Sequence, residues 1–137
     1  MLKEVIVESE TNGKITFAND VIATIAGLAA VEVKGIAGMS GGIVGGIVEF
    51  LGKKNFTKGV KVEAGNEEAA VELFVIVEYG EKIHEVCKAI QRNVKKAIET
   101  MTGLKVVSVN VFVQGVYIEK EKKTEAHIET EATPKLK

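Results

Sequence analysis

The stretch from Ile83 to Met101 constrains the fold more than any other part of the sequence. Its apolar side chains recur at intervals of three and four residues, which is the spacing of one face of an α-helix. They are Ile83, Val86, Cys87, Ile90, Val94, Ala97, Ile98 and Met101. Gly103 follows at the position of a C-terminal cap. The helix needs a partner surface, because ordering about twenty residues costs at least as much free energy as burying this face gains.

Two segments with alternating apolar residues supply such a surface. Val71–Tyr79 and Val107–Val113 are rich in β-branched residues and predict strands. A third strand, Lys58–Ala64, is predicted to join the first through a hairpin at residues 65–68. The opposite faces of these strands also carry apolar side chains, namely Phe74, Ile76, Phe112 and Val116. We therefore expect the second face of the sheet to be at least partly covered.

The first half of the chain adds a strand at Lys14–Phe17 and a helix that Asn19 or Asp20 caps. The helix continues through Ala29, and Gly35 ends it. Taken together, the order of elements is β-α-β-(α)-β-β-α-β. This order predicts an α+β domain of two layers, with helices on a small mixed or antiparallel sheet.

The 137 residues suffice for one core and are too few for two. Residues 1–12 are interpreted as an N-terminal arm and residues 13–118 as the domain. The segment 119–137 contains the single proline and mixes Lys and Glu with Thr and Ala without apolar periodicity. It is predicted to be a disordered charged tail.

Charge and composition exclude several functions. The formal charge is -1, which gives no electrostatic basis for binding nucleic acid. One cysteine, Cys87, and two histidines, His84 and His127, make a zinc site or a disulfide framework improbable. No stretch approaches the ~20 apolar residues of a transmembrane helix, and the N-terminus lacks the pattern of a secretory signal. A cytoplasmic location is expected.

No catalytic constellation is recognisable. His84 stands beside Glu81 and Glu85, but the sequence places no nucleophile near it, and its helical phase points to solvent. Cys87 belongs to the apolar stripe and is interpreted as an inert thiol. We predict no catalytic, cofactor-binding or metal-binding residue, and therefore no enzyme.

The glycine-rich segment Gly35–Gly46 invites comparison with a phosphate-binding loop, but it lacks the Lys-Ser/Thr pair of a P-loop. The competing interpretation is an amphipathic helix at Gly42–Gly52, which covers the sheet or docks on a partner. The candidate partner or oligomer surface comprises Gly38, Met39, Ser40, Gly42, Ile43, Ile47 and Phe50. The candidate contacts to an anionic surface are Lys53, Lys54 and Lys58.

Several short motifs occur in the order and spacing of one known family. They are Gly13-Lys14-Ile15-Thr16, Val21–Ala30, Gly35-Ile36-Ala37-Gly38-Met39, Lys58–Val62, Val77–Gly80, Met101–Leu104 and Val109-Asn110-Val111. Together they resemble the alkaline shock protein family, the envelope stress response proteins of Gram-positive bacteria. The resemblance covers Gly13 to about Glu119, and the proline frequent in the family near position 84 is His84 here.

The resemblance implies a non-catalytic cytoplasmic protein that accumulates under stress and self-associates. In some members a membrane-anchored partner holds the protein at the inner membrane surface. The leading hypothesis is thus a self-associating scaffold or partner-binding module at the cytoplasmic side of the envelope. One alternative is a small module that binds an anionic ligand or regulates an enzyme through Gly38–Gly46. Another is direct membrane contact by Gly42–Lys54.

Overall fold

The computed structural model describes residues 4–8, 13–65, 67–118 and 127–129. Its elements are β1 (Glu4–Glu8), β2 (Lys14–Ala18), α1 (Asn19–Val31), β3 (Ile36–Val44), β4 (Ile47–Gly52), a 3-10 turn (Phe56–Gly59), β5 (Val60–Ala64), β6 (Glu68–Glu78), α2 (Ile83–Thr102), β7 (Lys105–Ile118) and β8 (His127–Glu129). The predicted α+β class is confirmed.

The main sheet is mixed. Its strands follow the order β4-β3-β6-β7-β8, and β5 pairs with β6 on the same side as β3. The β6–β7 pair is parallel, and the other pairs are antiparallel. A parallel pair needs a long crossover, and α2 provides it. β1 and β2 form a separate two-stranded sheet.

Both helices pack on one face of the main sheet, where the core lies. The sheet contributes every second side chain of β6, namely Ala69, Val71, Leu73, Val75 and Val77, all buried. The apolar stripe of α2 contributes Val86, Ile90, Val94 and Ile98, also buried. The period of two along the strand and the period of 3.6 along the helix thus meet at one surface, as the sequence predicts.

The C-terminal end of α2 was predicted correctly, whereas the N-terminal cap of α1 was not. Gly103 caps α2 in the left-handed conformation, with φ 79°, and its N–H donates to the Glu99 carbonyl oxygen. The predicted cap of α1 is wrong, since Ala18 occupies the N-cap and no side chain caps the helix. β2 runs directly into α1, so Ala18 is both the last strand residue and the cap. Asn19 therefore lies inside the first turn.

Side chains of α2 also satisfy backbone groups of β7. The Val106 N–H donates to Glu99 Oε2 at 2.9 Å, and Gln91 Nε2 donates to the Val109 carbonyl oxygen at 2.9 Å. In the described part of the chain, β8 pairs only with Val116–Ile118 of this strand. The two hydrogen bonds thus satisfy backbone groups of β7 outside the stretch that pairs with β8. Left unsatisfied, such groups could pair with a strand of another chain.

The predicted helix at Gly42–Gly52 is wrong. This segment forms a hairpin of β3 and β4, with a turn at Gly45 and Gly46 whose φ angles are 61° and 85°. An α-helix would have contained two interior glycines, Gly45 and Gly46, each costing about 1 kcal/mol relative to alanine. The β-branched residues on both sides of the turn favour strands instead.

The ends of the chain also differ from expectation in part. β1 lies within the predicted N-terminal arm and pairs with β2. β8 lies within the segment predicted as a disordered tail and pairs with β7. The other residues of 119–137 lie outside the described residues, as do 1–3 and 9–12 of the arm. The division into arm, domain and tail therefore stays a prediction.

Candidate interaction surface

The β3–β4 hairpin is built on a two-residue loop. Val44 pairs with Ile47 and Ile43 with Val48, so that Gly45 and Gly46 alone connect the strands. Both have positive φ, which is the conformation of the turn whose twist matches that of paired strands. A glycine pair between two β-branched runs is the sequence signal for this turn.

The hairpin bends over the helix-free face of the sheet. Its ladder with β6 ends at Met39, and beyond that point it contacts β7 instead. The Ser40 hydroxyl donates to Gln114 Oε1 at 2.7 Å, and the Phe50 ring stacks on Tyr117 with centroids 5.7 Å apart. The second face is thus partly covered, as expected, but by a hairpin rather than a helix.

The β3–β4 hairpin and the sheet bury apolar side chains between them on this face. Ile76 of β6 and Val48 of β4 are 0% and 3% exposed. Neither belongs to the cluster between the sheet and the helices. The hairpin therefore closes a small second core, which ties it to the body of the domain.

Two glycines are required where backbones approach closely. A Cβ on Gly38 would lie 2.5 Å from the Gly52 carbonyl oxygen. A Cβ on Gly59 would lie 2.9 Å from the Ser40 carbonyl oxygen and 3.0 Å from that of Phe74. Since real Cβ atoms do not approach backbone oxygens so closely, these positions require glycine for the backbones to pack.

The tip of the hairpin, which we define as Ile43–Ile47, is apolar and exposed. Ile43, Val44 and Ile47 are 61%, 65% and 68% exposed. The sequence holds no charged residue from Gly35 to Val48. An ordinary protein surface exposes its large apolar residues singly, whereas this turn exposes three β-branched side chains together.

The predicted partner surface divides into exposed and buried members. Ile43 and Ile47 lie at the tip, and Phe50 is half-buried by its stacking on Tyr117. Gly42 is half-buried next to the tip, and its N–H donates to the Ser40 hydroxyl at 3.1 Å. Gly38, Met39 and Ser40 are buried. The sheet encloses these three residues, so they offer no exposed side chain to a partner, and the partner surface as a whole stays a prediction.

One exposed residue of the tip, Val44, was missed by sequence reasoning. In the predicted helix it lay beside the apolar stripe, whereas in the strand it pairs with Ile47. The Gly-Gly signal for a two-residue turn would have placed both side chains at the tip.

The three lysines proposed as contacts to an anionic surface are exposed, but they are remote from the tip. Lys53 and Lys54 follow the C-terminal end of β4, and Lys58 lies in the 3-10 turn. A strand of this length separates its ends by roughly 17–20 Å. The structure therefore does not combine the apolar tip and these lysines into one basic amphipathic element.

The remainder of the helix-free face, over β5, the first part of β6 and β7, carries an aromatic pair. Phe74 and Phe112 stack with centroids 5.0 Å apart, and Lys61 Nζ lies 5.5 Å from the centroid of Phe74. Phe112 is 43% exposed. Next to this pair is a hollow of about 510 Å³, lined by Lys61, Val62, Glu63, Ala70, Glu72, Ser108 and Asn110.

The residues considered for catalysis lie at the start of α2. His84 is exposed in the first turn of α2. Burial raises the pKa of the Cys87 thiol, which lowers the fraction of reactive thiolate. Among the described residues, no three His, Cys, Asp or Glu side chains are grouped to hold a metal ion, and no helix in that part of the chain is long and apolar enough to span a membrane.

With this geometry in place, comparison with known proteins decides the family. The model of the ASP23 family, the alkaline shock protein family described as having a cell envelope-related function, matches residues 7–118. The chain belongs to this family. The resemblance inferred from its motifs is confirmed.

Relatives occur in the Gram-positive bacteria Bacillus subtilis and Streptococcus pyogenes. The chain is 44% identical to YloU of Bacillus subtilis over 108 residues, which cover 77% of this chain and 90% of the relative. It is 36% identical to YqhY of the same organism, covering 76% and 77%. A Streptococcus pyogenes protein named stress response regulator gls24 homolog is 33% identical, covering 75% of this chain and 58% of that protein.

One solved structure, the zinc form of the MamM C-terminal domain, is similar with a TM-score of 0.45 and 14% identity. The alignment covers 81% of this chain and 97% of that one. Similarity at this level supports no conclusion about the function of this chain.

Proposed function

We propose that this member of the family is a non-catalytic scaffold that self-associates or binds a protein partner at the cytoplasmic side of the cell envelope. The observation that carries the proposal is the exposed tip of the hairpin, Ile43–Ile47. The family supplies the connection to the cell envelope and to stress. The single cysteine agrees with a reducing compartment.

The tip is suited to binding because the rest of the hairpin is fixed. The bond from Ser40 to Gln114 and the stacking of Phe50 on Tyr117 hold its base against β7. A binding element that is ordered beforehand loses little conformational entropy on docking. The tip therefore presents its three side chains without a folding cost at the moment of contact.

The magnitude of this contribution limits what the tip can do alone. Burying three side chains that are about two-thirds exposed gains roughly 3–6 kcal/mol. Association costs roughly 4–15 kcal/mol in translational, rotational and side-chain freedom. The tip alone thus cannot sustain a tight complex, so a functional interface must include a second surface.

The placement of the described residues supports the non-catalytic part of the proposal. His84 is exposed, and Cys87, three residues further along α2, belongs to the apolar stripe, where burial raises the pKa of its thiol. Among the described residues, no hydrogen bond joins either side chain to a group that would activate it as a base or as a nucleophile.

The geometry does not favour the alternative of an anionic ligand at Gly38–Gly46. Phosphate sites of this kind use the N–H groups of a loop that opens a helix. Here the glycines lie in β3 and in its turn, and Gly38 faces the backbone of Gly52. Direct membrane contact by Gly42–Lys54 also loses its basic component, since the lysines are remote from the tip.

Light scattering over a concentration series tests the proposal on the wild type and on Ile47→Asp. Asn55→Asp, at an exposed loop position, is a control with the same change of charge. We expect the apparent mass of the wild type and of Asn55→Asp to rise with concentration. Ile47→Asp should stay smaller at the same concentrations, with an unchanged melting temperature. The proposal fails if wild type and variant both remain monomeric, fold alike and retain no envelope protein on purification.

A further inference from the structure

The main sheet has an unpaired edge along β7. On one side this strand pairs with β6 from Lys105 to Tyr117, whereas on its other side β8 pairs only with Val116–Ile118. Among the described residues, no strand pairs with Val107–Gly115 on that side. We call this stretch the free edge. A strand edge whose N–H and C=O groups are unpaired is a template for pairing with another extended segment.

One hydrogen bond shows which backbone groups of the free edge point away from β6. The Val109 carbonyl oxygen points outward, because it accepts a bond from Gln91 on α2. The β6–β7 ladder is regular from Val109 to Val113, and successive residues of a strand direct their N–H and C=O groups to alternate sides. Val111 and Val113 therefore point outward like Val109. In the part of the chain that the structure describes, neither a strand nor a side chain bonds to the outward groups of these two residues.

The free edge lacks the features that normally prevent strand addition. Natural sheet edges are protected by charged side chains, by prolines or by very short strands. The free edge contains neither a charged residue nor a proline. By contrast β5, which pairs with β6 on the opposite side of the sheet, carries the exposed Lys61 and Glu63. The edge of β5 is thus protected against pairing, whereas the edge of β7 is not.

The flank of α2 next to the free edge indicates the charge of the segment that fits. Residues three or four positions apart lie on the same side of a helix, so Lys88 and Lys95 lie on the flank of Gln91, and both are exposed. Glu99 belongs to the same flank, but its carboxylate accepts a bond from the backbone of β7 before the free edge begins. Two ammonium groups beside an uncharged strand edge favour a segment with carboxylates.

We infer that the free edge is the docking site for an extended acidic segment of a partner protein, which adds to the main sheet as a strand antiparallel to β7. The direction continues that of β8, which pairs antiparallel with the same edge. The inference rests on the proposed function for the existence of a protein partner, and it names the second surface that the tip requires. Gln114, which accepts the bond that holds the hairpin, belongs to the free edge, so the hairpin and the docking site adjoin.

The geometry of the edge also predicts the pattern of the docked segment. The side chains of Val109, Val111 and Val113 point toward the helices, and residues paired with them direct their side chains to the same face. Carboxylates at those positions come closest to the two lysines of α2. The alternate side chains of the segment lie on the helix-free face beside Phe112, which is 43% exposed. The backbone bonds supply affinity, and alternation of acidic with apolar residues supplies specificity.

Amide hydrogen exchange on the full chain, followed by NMR, tests the pairing. The N–H groups of Val111 and Val113 should exchange at least about tenfold faster than those of Asn110 and Phe112, which point to β6. The probe is a peptide of about eight alternating glutamate and valine residues with both ends blocked. At about 1 mM, where even a weak complex forms, it should slow the exchange of Val111 and Val113 and leave Asn110 and Phe112 unchanged.

Two N-methylated forms of the peptide are matched controls for backbone pairing. In the inferred register the glutamates are opposite Val109, Val111 and Val113, so their N–H groups bond to β7, whereas the valine N–H groups face solvent. Methylation of the glutamate nitrogens should therefore abolish the slowing. Methylation of the valine nitrogens should preserve it.

A charge variant tests the acidic character of the segment. Lys88→Glu should raise the dissociation constant of the peptide about threefold, the size expected for one exposed ion pair. Lys96→Glu is the control with the same change of charge, because Lys96 is exposed on the other flank of α2, beside Val33 and Arg92. It should bind the peptide like the wild type.

The inference is overturned if Val111 and Val113 already exchange as slowly as Asn110 and Phe112 in the chain alone, because the edge is then paired within the molecule. It is also overturned if the peptide does not slow their exchange, or if the two N-methylated peptides act alike. Equal affinity of Lys88→Glu and the wild type contradicts the acidic character of the segment.

The outcomes separate this inference from the proposed function. If Ile47→Asp weakens association and the peptide does not slow exchange at the free edge, the scaffold proposal stands and the edge is not the docking site. If the peptide slows exchange while the wild type remains monomeric and retains no envelope protein, the edge accepts a strand and the scaffold proposal is wrong.

Discussion

The two faces of the main sheet use similar side chains for different purposes. On the helix-covered face, Val71, Leu73, Val75 and Val77 are all fully buried against α1 and α2. On the other face, Ile76 is buried by the hairpin, whereas Phe112 and the tip of the hairpin remain in contact with water. The first face is thus committed to folding, and the second retains apolar surface that folding does not use.

This difference shows that apolar content alone does not reveal which residues hold the fold together. Ile90 on α2 is 0% exposed and Ile47 at the tip is 68% exposed, although both belong to apolar segments of the sequence. The two residues differ because another layer of the fold covers Ile90 and leaves Ile47 exposed. If this difference decides which residues stabilise the fold, substitutions on the two surfaces should have unequal effects on the free energy of unfolding.

The largest expected effect compares the same substitution on the two surfaces. Ile90→Ala removes buried volume from the core and should lower the free energy of unfolding by about 2–5 kcal/mol. Ile47→Ala removes atoms that are already hydrated and should change it by less than about 0.5 kcal/mol. Urea denaturation at low protein concentration measures both. Equal losses for the two variants would show that the tip is part of the fold.

The next effect concerns the close approach at the base of the hairpin. Gly38→Ala places a Cβ 2.5 Å from the Gly52 carbonyl oxygen, and the forced shift of the backbone should cost about 1–3 kcal/mol. Gly65→Ala is the control, since a Cβ at Gly65 meets open space. Thermal unfolding of both proteins tests this. A Gly38→Ala protein as stable as the wild type would mean that the hairpin does not pack as described.

A smaller effect is expected at the polar contact between hairpin and β7. Ser40→Ala leaves Gln114 Oε1 without the donor that lies 2.7 Å away and should cost about 1–2 kcal/mol. A double-mutant cycle with Gln114→Ala isolates the pair, because removing both partners should cost less than the sum of the single changes. Additive losses would indicate that the hydrogen bond does not couple the two elements.

The smallest effect concerns the hydrogen bond from a side chain of α2 to the backbone of β7. Gln91→Ala removes the donor to the Val109 carbonyl oxygen and should cost about 0.5–1.5 kcal/mol. Lys95→Ala, exposed on the same helix, should be neutral. Denaturant titration distinguishes them. Equal stability of the two variants would show that water replaces the Gln91 amide without loss.

The helix-covered face could be predicted from the sequence because its information is local. The stripe of α2 and the alternation in β6 and β7 each identify their element independently of the rest of the chain. Gly103 signals the end of α2 in the same way. Packing then requires only that two apolar surfaces meet, so that the core residues follow from periodicity.

The hairpin could not be predicted in this way, because its pattern satisfies two periods. Ile43, Ile47 and Leu51 are four residues apart, as on a helix, while Gly45-Gly46 between β-branched residues signals a turn. The contacts that decide between these readings are remote in sequence. Ser40 and Gln114 are 74 positions apart, and no local pattern indicates that they meet.

The exposed surfaces were predicted only in part for the same reason. Ile43 and Ile47 were identified, but Val44 was assigned beside the stripe of a helix that does not form. Gly38, Met39 and Ser40 were included although the sheet encloses them. Exposure depends on which layer covers which residue, and that is a property of the assembled fold.

The central claim is that folding and association depend on different apolar surfaces of this domain. The most direct test measures both the free energy of unfolding and the dimer dissociation constant for Ile90→Ala and Ile47→Asp, by urea titration and by sedimentation equilibrium. We predict that Ile90→Ala loses stability while its folded form associates like the wild type, and that Ile47→Asp keeps its stability while its dissociation constant rises. Both variants losing stability and association in proportion would contradict the claim.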